Sequence, residues 1–229
     1  GLADPKFKVV LSAFPVTAGK VVKAREQVLL EIPKSMAHHN GGGLLFGPDG
    51  MLYMSTGDNR IQKQAVDTAQ NPASLLGKIL RLDVDNPSPG LPYGIPADNP
   101  FVGREGALPT IWSYGHRNSQ GLAIDATGTR VYMHEHGPRG GDELNLVLPG
   151  KNYGWPAVTE GVDYSGASIS PFTEHPDMAR SLTTWSPSIA PSGLAYDGGT
   201  ACPAWRGSLF VGALVDREVR RLSLQDGKL

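Results

Sequence analysis

Two short apolar segments flank a Pro-Asp-Gly turn in Gly43-Leu44-Leu45-Phe46-Gly47-Pro48-Asp49-Gly50-Met51-Leu52-Tyr53-Met54. Residues 121–133 repeat this arrangement, and residues 193–197 with residues 207–212 repeat it around a longer insert. A Gly- and Asp-rich turn between two apolar segments is typical of a β-hairpin. The copies lie roughly 70–80 residues apart, so the chain contains a repeated strand-turn-strand unit.

A third apolar segment follows each hairpin, at residues 78–84, 143–148 and 218–224. Two leading strands are predicted before the first copy, at residues 7–14 and 21–32. We therefore predict an all-β fold, an antiparallel β-propeller of which this chain forms about three to four radial blades.

The composition agrees with many short strands joined by tight turns. Glycine contributes 29 of the 229 residues and proline 19, interleaved with apolar segments and without a fixed period. No sustained helical period is visible, and the best helix candidate is short, at residues 71–76.

Charge and hydropathy exclude two classes of partner. Lysine and arginine number 21 against 22 acidic residues, a net charge of −1, whereas nucleic-acid binding needs a basic surface. The sequence has no run of about 18 apolar residues, so no membrane span is predicted. Cys202 is the single cysteine, which excludes an intrachain disulfide.

The number of repeats leads to an expectation about the domain. A propeller closes with at least four blades, whereas the repeat and the leading strands account for about three and a half. We expect residues 1–229 to form one partial propeller domain, truncated at both ends, which exposes strand edges and apolar blade faces.

The densest motif is His136-Gly137-Pro138-Arg139-Gly140-Gly141-Asp142-Glu143-Leu144-Asn145, followed by Gly150-Lys151-Asn152-Tyr153-Gly154-Trp155-Pro156. Gly and Pro turns let backbone carbonyls point outward, and carbonyl and carboxylate oxygens are the ligands that Ca²⁺ prefers. With the upstream string Trp112-Ser113-Tyr114-Gly115-His116-Arg117-Asn118-Ser119-Gln120-Gly121, this motif resembles the soluble quinoprotein sugar dehydrogenases.

That resemblance covers most of the chain and implies a six-bladed propeller that uses pyrroloquinoline quinone (PQQ) and Ca²⁺. It implies oxidation of an aldose at C1 to the lactone, with hydride transfer to PQQ and electrons passing to an external acceptor. Members of this family are mostly periplasmic or secreted, which is the only basis for predicting that location here.

The resemblance also assigns catalytic roles. His39 corresponds to the family's general base and Asp58 to the acid that orients it. A neutral imidazole suits proton abstraction, and a carboxylate on its other nitrogen fixes the tautomer. Arg117 corresponds to the cation over the quinone carbonyls, where a guanidinium would stabilise the reduced quinone.

Cofactor contacts follow from the same comparison. Asn118 would hydrogen-bond PQQ beside Arg117, and Trp185 would supply an aromatic wall. An indole packed between blades is an equally good interpretation of Trp185.

Two calcium sites are implied by the resemblance alone, because no EF-hand spacing is present. The carbonyls of Gly137 and Pro138 would bind the Ca²⁺ that bridges to PQQ. Glu143, the Tyr153 carbonyl and Asp142 would bind a second, structural Ca²⁺.

Two departures from the family keep other functions open. Gly43 stands where relatives often carry arginine. At or near the position of Val215, several relatives carry a lysine that pairs with a PQQ carboxylate. Val215 cannot form that pair, and Arg217 is the candidate substitute. The alternatives are a Ca²⁺-dependent lactonase-type hydrolase and a non-catalytic binding propeller, and fold type does not decide between them.

Overall fold

The computed structural model describes residues 6–59, 65–225 and 229. The first part of the described chain contains a two-stranded leading sheet, a small hairpin, one short helix and a four-stranded sheet. Its elements are β1 (Phe7–Ala13), β2 (Val16–Thr17), β3 (Lys20–Val21), a 3-10 turn (Lys23–Arg25), β4 (Gln27–Lys34), β5 (Leu44–Phe46), β6 (Leu52–Ser55), α1 (Ala65–Thr68), β7 (Lys78–Leu82) and β8 (Ile111–Tyr114).

The remainder of the described chain is β-structure joined by loops. Its strands are β9 (Ser119–Ile124), β10 (Val131–Glu135), β11 (Asp142–Val147), β12 (Thr183–Trp185), β13 (Pro191–Asp197), β14 (Ser208–Ala213) and β15 (Glu218–Ser223). This arrangement confirms the predicted all-β class and the three predicted hairpins with their third strands.

The strands form successive antiparallel sheets in chain order. Strands β1 and β4 pair as the leading sheet, and β2 pairs with β3. Strands β5–β8 form blade 1, β9–β12 form blade 2, and β13–β15 form blade 3. Each blade is a meander in which sequential strands are neighbours, which is the sheet type of a propeller.

Apolar side chains join neighbouring sheets face to face. Alternation along β6 sends Leu52 and Met54 towards the leading sheet, where Ile32 and Leu30 lie, and sends Tyr53 towards blade 2. The same alternation along β10 sends Met133 to blade 1 and Tyr132 to blade 3. Central strands β7 and β10 are buried throughout, because blades 1 and 2 each pack against a neighbouring sheet on both faces.

The helix prediction at residues 71–76 is wrong. Those residues form turns, and the short helix α1 precedes them. Asn71 accepts the backbone N–H of Ala73 through its side chain, and the Ser74 hydroxyl accepts that of Leu76. These local bonds offer the backbone an alternative to helical hydrogen bonding.

Within the described residues, no helix has the length and apolar character needed to cross a membrane.

A buried histidine lies between blades 2 and 3. The ring of His134 is fully buried, and its Nε2 lies 3.0 Å from the Gly193 carbonyl oxygen on β13. Burial lowers the pKa of His134 to about 4, so the neutral ring donates Nε2–H to that carbonyl.

We expect acid to weaken this interface. Because the pKa of His134 is lower in the folded chain than in the unfolded chain, the unfolded state binds more protons between about pH 6.5 and pH 4, and stability falls across that window by up to about 3 kcal/mol. Urea unfolding at several pH values should show this loss in the wild type and in His175→Gln, whose side chain is exposed. The loss should be smaller in His134→Gln, and equal pH dependence in all three proteins would contradict the assignment.

Candidate active site

Loops from successive blades enclose one cavity of about 840 Å³. The first loop, residues 37–41, leads from β4 into blade 1, and residues 117–120 lead into blade 2. Residues 136–140 join β10 to β11, and residues 186–190 lead into blade 3. A cavity of this size accommodates a small-molecule ligand, and the blade packing determines which loops meet there.

His39 and Asp58 are in direct contact in this cavity wall. The His39 Nδ1 lies 2.6 Å from Asp58 Oδ1, and the Asp58 side chain is almost completely buried. An ionised carboxylate accepts hydrogen bonds only, so the neutral imidazole must carry its proton on Nδ1. The structure therefore brings the two residues of this predicted pair into contact.

The motif Gly57-Asp58-Asn59 contacts the loop that carries His39, called here the histidine loop (residues 36–41). A Cβ on Gly57 would lie 2.0 Å from the His39 carbonyl oxygen, so the close approach of the two chains requires glycine. Asn59 accepts the Met36 backbone N–H at 2.9 Å. Three consecutive residues after β6 therefore fix the loop that carries His39.

Trp155 fixes the other oxygen of the Asp58 carboxylate. Its indole Nε1–H donates to Asp58 Oδ2 at 2.6 Å, and its ring lies 5.2 Å below the Arg117 guanidinium carbon. This side chain therefore connects the acid beside His39 to the cation of the cavity. The sequence analysis did not identify Trp155, although the Tyr-Gly-Trp-Pro string lies inside the motif at residues 150–156.

Arg117 is buried and held by backbone groups. Its Nη1 donates to the His136 carbonyl at 2.9 Å and to the Gly137 carbonyl at 2.6 Å, while its backbone N–H donates to Glu135 Oε2. The Nε of Arg117 is buried and has no hydrogen-bond partner among the described residues. Burying a guanidinium nitrogen without a hydrogen-bond partner costs free energy. This suits a site where a ligand oxygen accepts the remaining N–H of Arg117.

Asn118 lies beside Arg117 in the cavity wall. Its Oδ1 accepts the Gln120 amide at 3.0 Å and the Gly41 backbone N–H at 3.4 Å. Because its oxygen has these partners, the amide N–H groups of Asn118 are the part of the side chain that can donate to a bound group.

The Gly137 and Pro138 segment also lines the cavity. The Gly137 carbonyl already accepts a hydrogen bond from Arg117, but a carbonyl oxygen has two lone pairs, so it can bind a cation as well.

The Asp142 carboxylate is used within the fold. It accepts the backbone N–H groups of Gly137, Ile189 and Ala190 and the Ser188 hydroxyl. Asp142 is fully buried and connects the two loops, which leaves little capacity for a cation.

Glu143 and Tyr153 lie together in a small cavity behind Arg117. Burial, together with the charge of Glu135, its partner across β10 and β11, raises the pKa of Glu143 to about 8. Two neighbouring acids suit a bound divalent ion in their chemistry. Among the described residues, no cluster of three or more His, Cys, Asp or Glu side chains is arranged to hold a metal, so backbone carbonyls would have to complete either site.

Two sequence expectations, the Trp185 wall and the Arg217 contact, find no support in this geometry. Trp185 packs among apolar residues of blades 2 and 3 and does not line the cavity, which agrees with the packing interpretation. Neither Val215 nor Arg217 lines the cavity. Among the described residues, the arginine that lines it besides Arg117 is the exposed Arg139, to which the sequence analysis gave no role.

The successive antiparallel sheets are those of a β-propeller, and their loops surround this one cavity. The chain belongs to the glucose/sorbosone dehydrogenase family, whose model matches residues 7–229. It is 39% identical over 210 residues to the aldose sugar dehydrogenase YliI of Escherichia coli K12, an alignment that covers 88% of this chain and 52% of that protein.

Solved structures agree. The soluble aldose sugar dehydrogenase of Escherichia coli in its apo-form superposes with a TM-score of 0.85 at 34% identity, over 96% of this chain and 61% of that chain. The PQQ-bound aldose sugar dehydrogenase of Streptomyces coelicolor gives a TM-score of 0.67 at 32% identity, over 96% of this chain and 55% of that chain. The chain spans about half the length of the curated relatives it matches.

We expect Trp155→Phe to destabilise the fold through Asp58. Phenylalanine keeps an aromatic ring for Arg117 but removes a hydrogen bond to a buried carboxylate, a loss of about 1.5–3 kcal/mol in the free energy of unfolding. The matched control is Trp205→Phe, whose ring is 47% exposed and whose change should stay within about 0.5 kcal/mol. Equal losses for both variants in urea unfolding, followed by far-UV circular dichroism, would contradict the role given to Trp155.

Proposed function

We propose that the protein of which this chain is a part is a PQQ- and Ca²⁺-dependent aldose dehydrogenase that oxidises the sugar at C1 to the lactone. The observation that carries the proposal is the wall of one cavity, which holds His39 on Asp58 at 2.6 Å and the buried Arg117. The family membership of the chain and its PQQ-bound structural relative support the same reaction.

His39 is the proposed general base. With Nδ1–H donated to Asp58, Nε2 is the ring nitrogen that carries the lone pair and can take the proton of the C1 hydroxyl group. Asp58 then stabilises the imidazolium, and Trp155 keeps the carboxylate in place through its other oxygen. The sugar C1–H bond breaks with its electron pair, and the C1–O bond becomes the carbonyl of the lactone.

Arg117 and Asn118 are the proposed cofactor contacts. PQQ, when bound, supplies the acceptor for the hydride, and an external acceptor later removes the electrons. The partnerless Nε of Arg117 and the amide N–H groups of Asn118 are donors suited to quinone and carboxylate oxygens. Arg139, exposed in the same wall, adds positive charge for a tricarboxylate.

Calcium is proposed at the carbonyls of Gly137 and Pro138, with Glu143 and the Tyr153 carbonyl at a second, structural site. The donors are oxygen atoms, as Ca²⁺ requires. A periplasmic or secreted location remains a prediction from the family. A hydrolase or a non-catalytic propeller would use the same fold, and the titration below distinguishes them.

Reduction of PQQ tests the proposal directly. PQQ with Ca²⁺ should bind to the protein, and adding glucose should bleach the cofactor to the reduced quinol in the absorption spectrum. His39→Ala should lower the rate by about 10²-fold or more, whereas His38→Ala should retain reduction, because the Asp58 contact belongs to His39. Failure of the folded protein to bind PQQ would overturn the proposal, and binding without reduction by any aldose would favour the non-catalytic alternative.

Calcium should stabilise the protein through Glu143. A ligand that binds only the folded state raises the melting temperature as its concentration rises above Kd. Adding CaCl₂ to chelator-treated protein should therefore raise Tm for the wild type and for Glu105→Gln, an exposed acid. Glu143→Gln should lose most of this shift, and an undiminished shift in Glu143→Gln would exclude the second calcium site.

A further inference from the structure

A fully buried lysine ends strand β4 beneath the proposed base. Residues Leu30, Ile32 and Lys34 alternate along β4 and are all buried, so Lys34 stands at a core position. Neither the family assignment nor the proposed mechanism gives it a role.

The ammonium group of Lys34 holds the histidine loop by its oxygen atoms. Its Nζ donates to the carbonyls of His38 at 2.7 Å and His39 at 2.8 Å, and to the side-chain oxygen of Asn40. An ammonium group has three donors, so each N–H bond is directed at one of three consecutive residues.

This loop needs such a restraint because its backbone is strained. His39 has a φ of 53°, a left-handed conformation that costs a residue with a Cβ about 1–2 kcal/mol. A strained residue persists where its surroundings over-determine it. Lys34 binds the His39 carbonyl, and Asp58 binds the His39 ring, so the residue is held at both its backbone and its side chain.

We propose that Lys34 is a positioning residue, which fixes the backbone of His39 so that the imidazole meets Asp58 and faces the cavity. This inference rests on the proposed function for its catalytic meaning, but its structural content does not depend on PQQ. Protonated Lys34 also places a positive charge near the buried Asp58.

The state of the ammonium group matters for this role. Burial lowers the pKa of Lys34 to about 8, with Asp58 opposing the shift. Asp58 is the titratable group whose charge acts on this ammonium, and His38 and His39 stand on the loop that it binds. A neutral amine has two N–H donors for three acceptors, so deprotonation above about pH 8 should loosen the loop.

Lys78 provides a matched control within the same chain. It is also fully buried, and its Nζ donates to three carbonyls, those of Thr68, Ala69 and Leu76. None of these belongs to the histidine loop. Lys34→Met and Lys78→Met therefore remove equally buried ammonium groups that make equal numbers of bonds, and only the first touches the His39 segment.

The test is NMR of the histidine rings in the ligand-free protein, with the His39 ring carbon signals assigned by their absence from His39→Gln. Both lysine variants should be destabilised, but only Lys34→Met should move or broaden the His39 signals. In the PQQ assay, Lys34→Met should lower kcat by about tenfold, with a smaller change in KM. His39 signals that are the same in Lys34→Met and in the wild type would overturn the inference.

A pH titration of the wild type and a comparison with PQQ reduction complete the test. If Lys34→Met does not fold, the wild-type His39 signals are followed from pH 7 to pH 9.5, where they should shift with an apparent pKa near 8, and their constancy would overturn the role. The same transition should persist in Lys78→Met. If the wild type reduces no PQQ while the Lys34-dependent shift is present, the proposed function fails and the positioning role stands.

Discussion

Face-to-face packing of successive sheets determines where every group of the site lies. Leu80, Met133 and Leu144 are fully buried on central strands, and each fills the space between two neighbouring sheets. This packing places the loops that enter blades 1, 2 and 3 around one cavity. A change between blades far from the cavity would therefore alter the relative positions of His39 and Arg117, which stand on different blades.

The site is held by buried polar groups that bind backbone atoms more than they bind each other. Lys34 binds carbonyls of the His39 loop, Arg117 binds carbonyls of residues 136 and 137, and Asp142 binds backbone N–H groups of two loops. Burying a charge is costly unless its hydrogen-bonding capacity is used. Lys34 and Asp142 use most of that capacity to define loop shape, and Arg117 uses part of it, which explains how an irregular cavity wall becomes a fixed surface.

The sequence predicted the blades well because hairpin turns and alternation are local properties. The turn at residues 47–50 and the alternation along β15 both survive in the structure. The histidine-acid pair was predicted from the resemblance, and the structure brings it together. Lys34 was missed although Leu30, Ile32 and Lys34 share a period of two, because a lysine after apolar residues is ordinarily interpreted as the exposed end of a strand.

Trp155 could not be predicted, because its bond to Asp58 joins residues 97 positions apart and no local pattern encodes that contact. Its position has a consequence for Arg117. The guanidinium lies over the indole ring and donates to the Gly137 carbonyl, which is the oxygen proposed for calcium. A cation at that oxygen would repel the guanidinium, and an anion bound in the cavity beside Arg117 would offset that repulsion. Calcium and an anionic cofactor would therefore favour each other's binding through Arg117, because the anion offsets the repulsion between the calcium ion and the guanidinium.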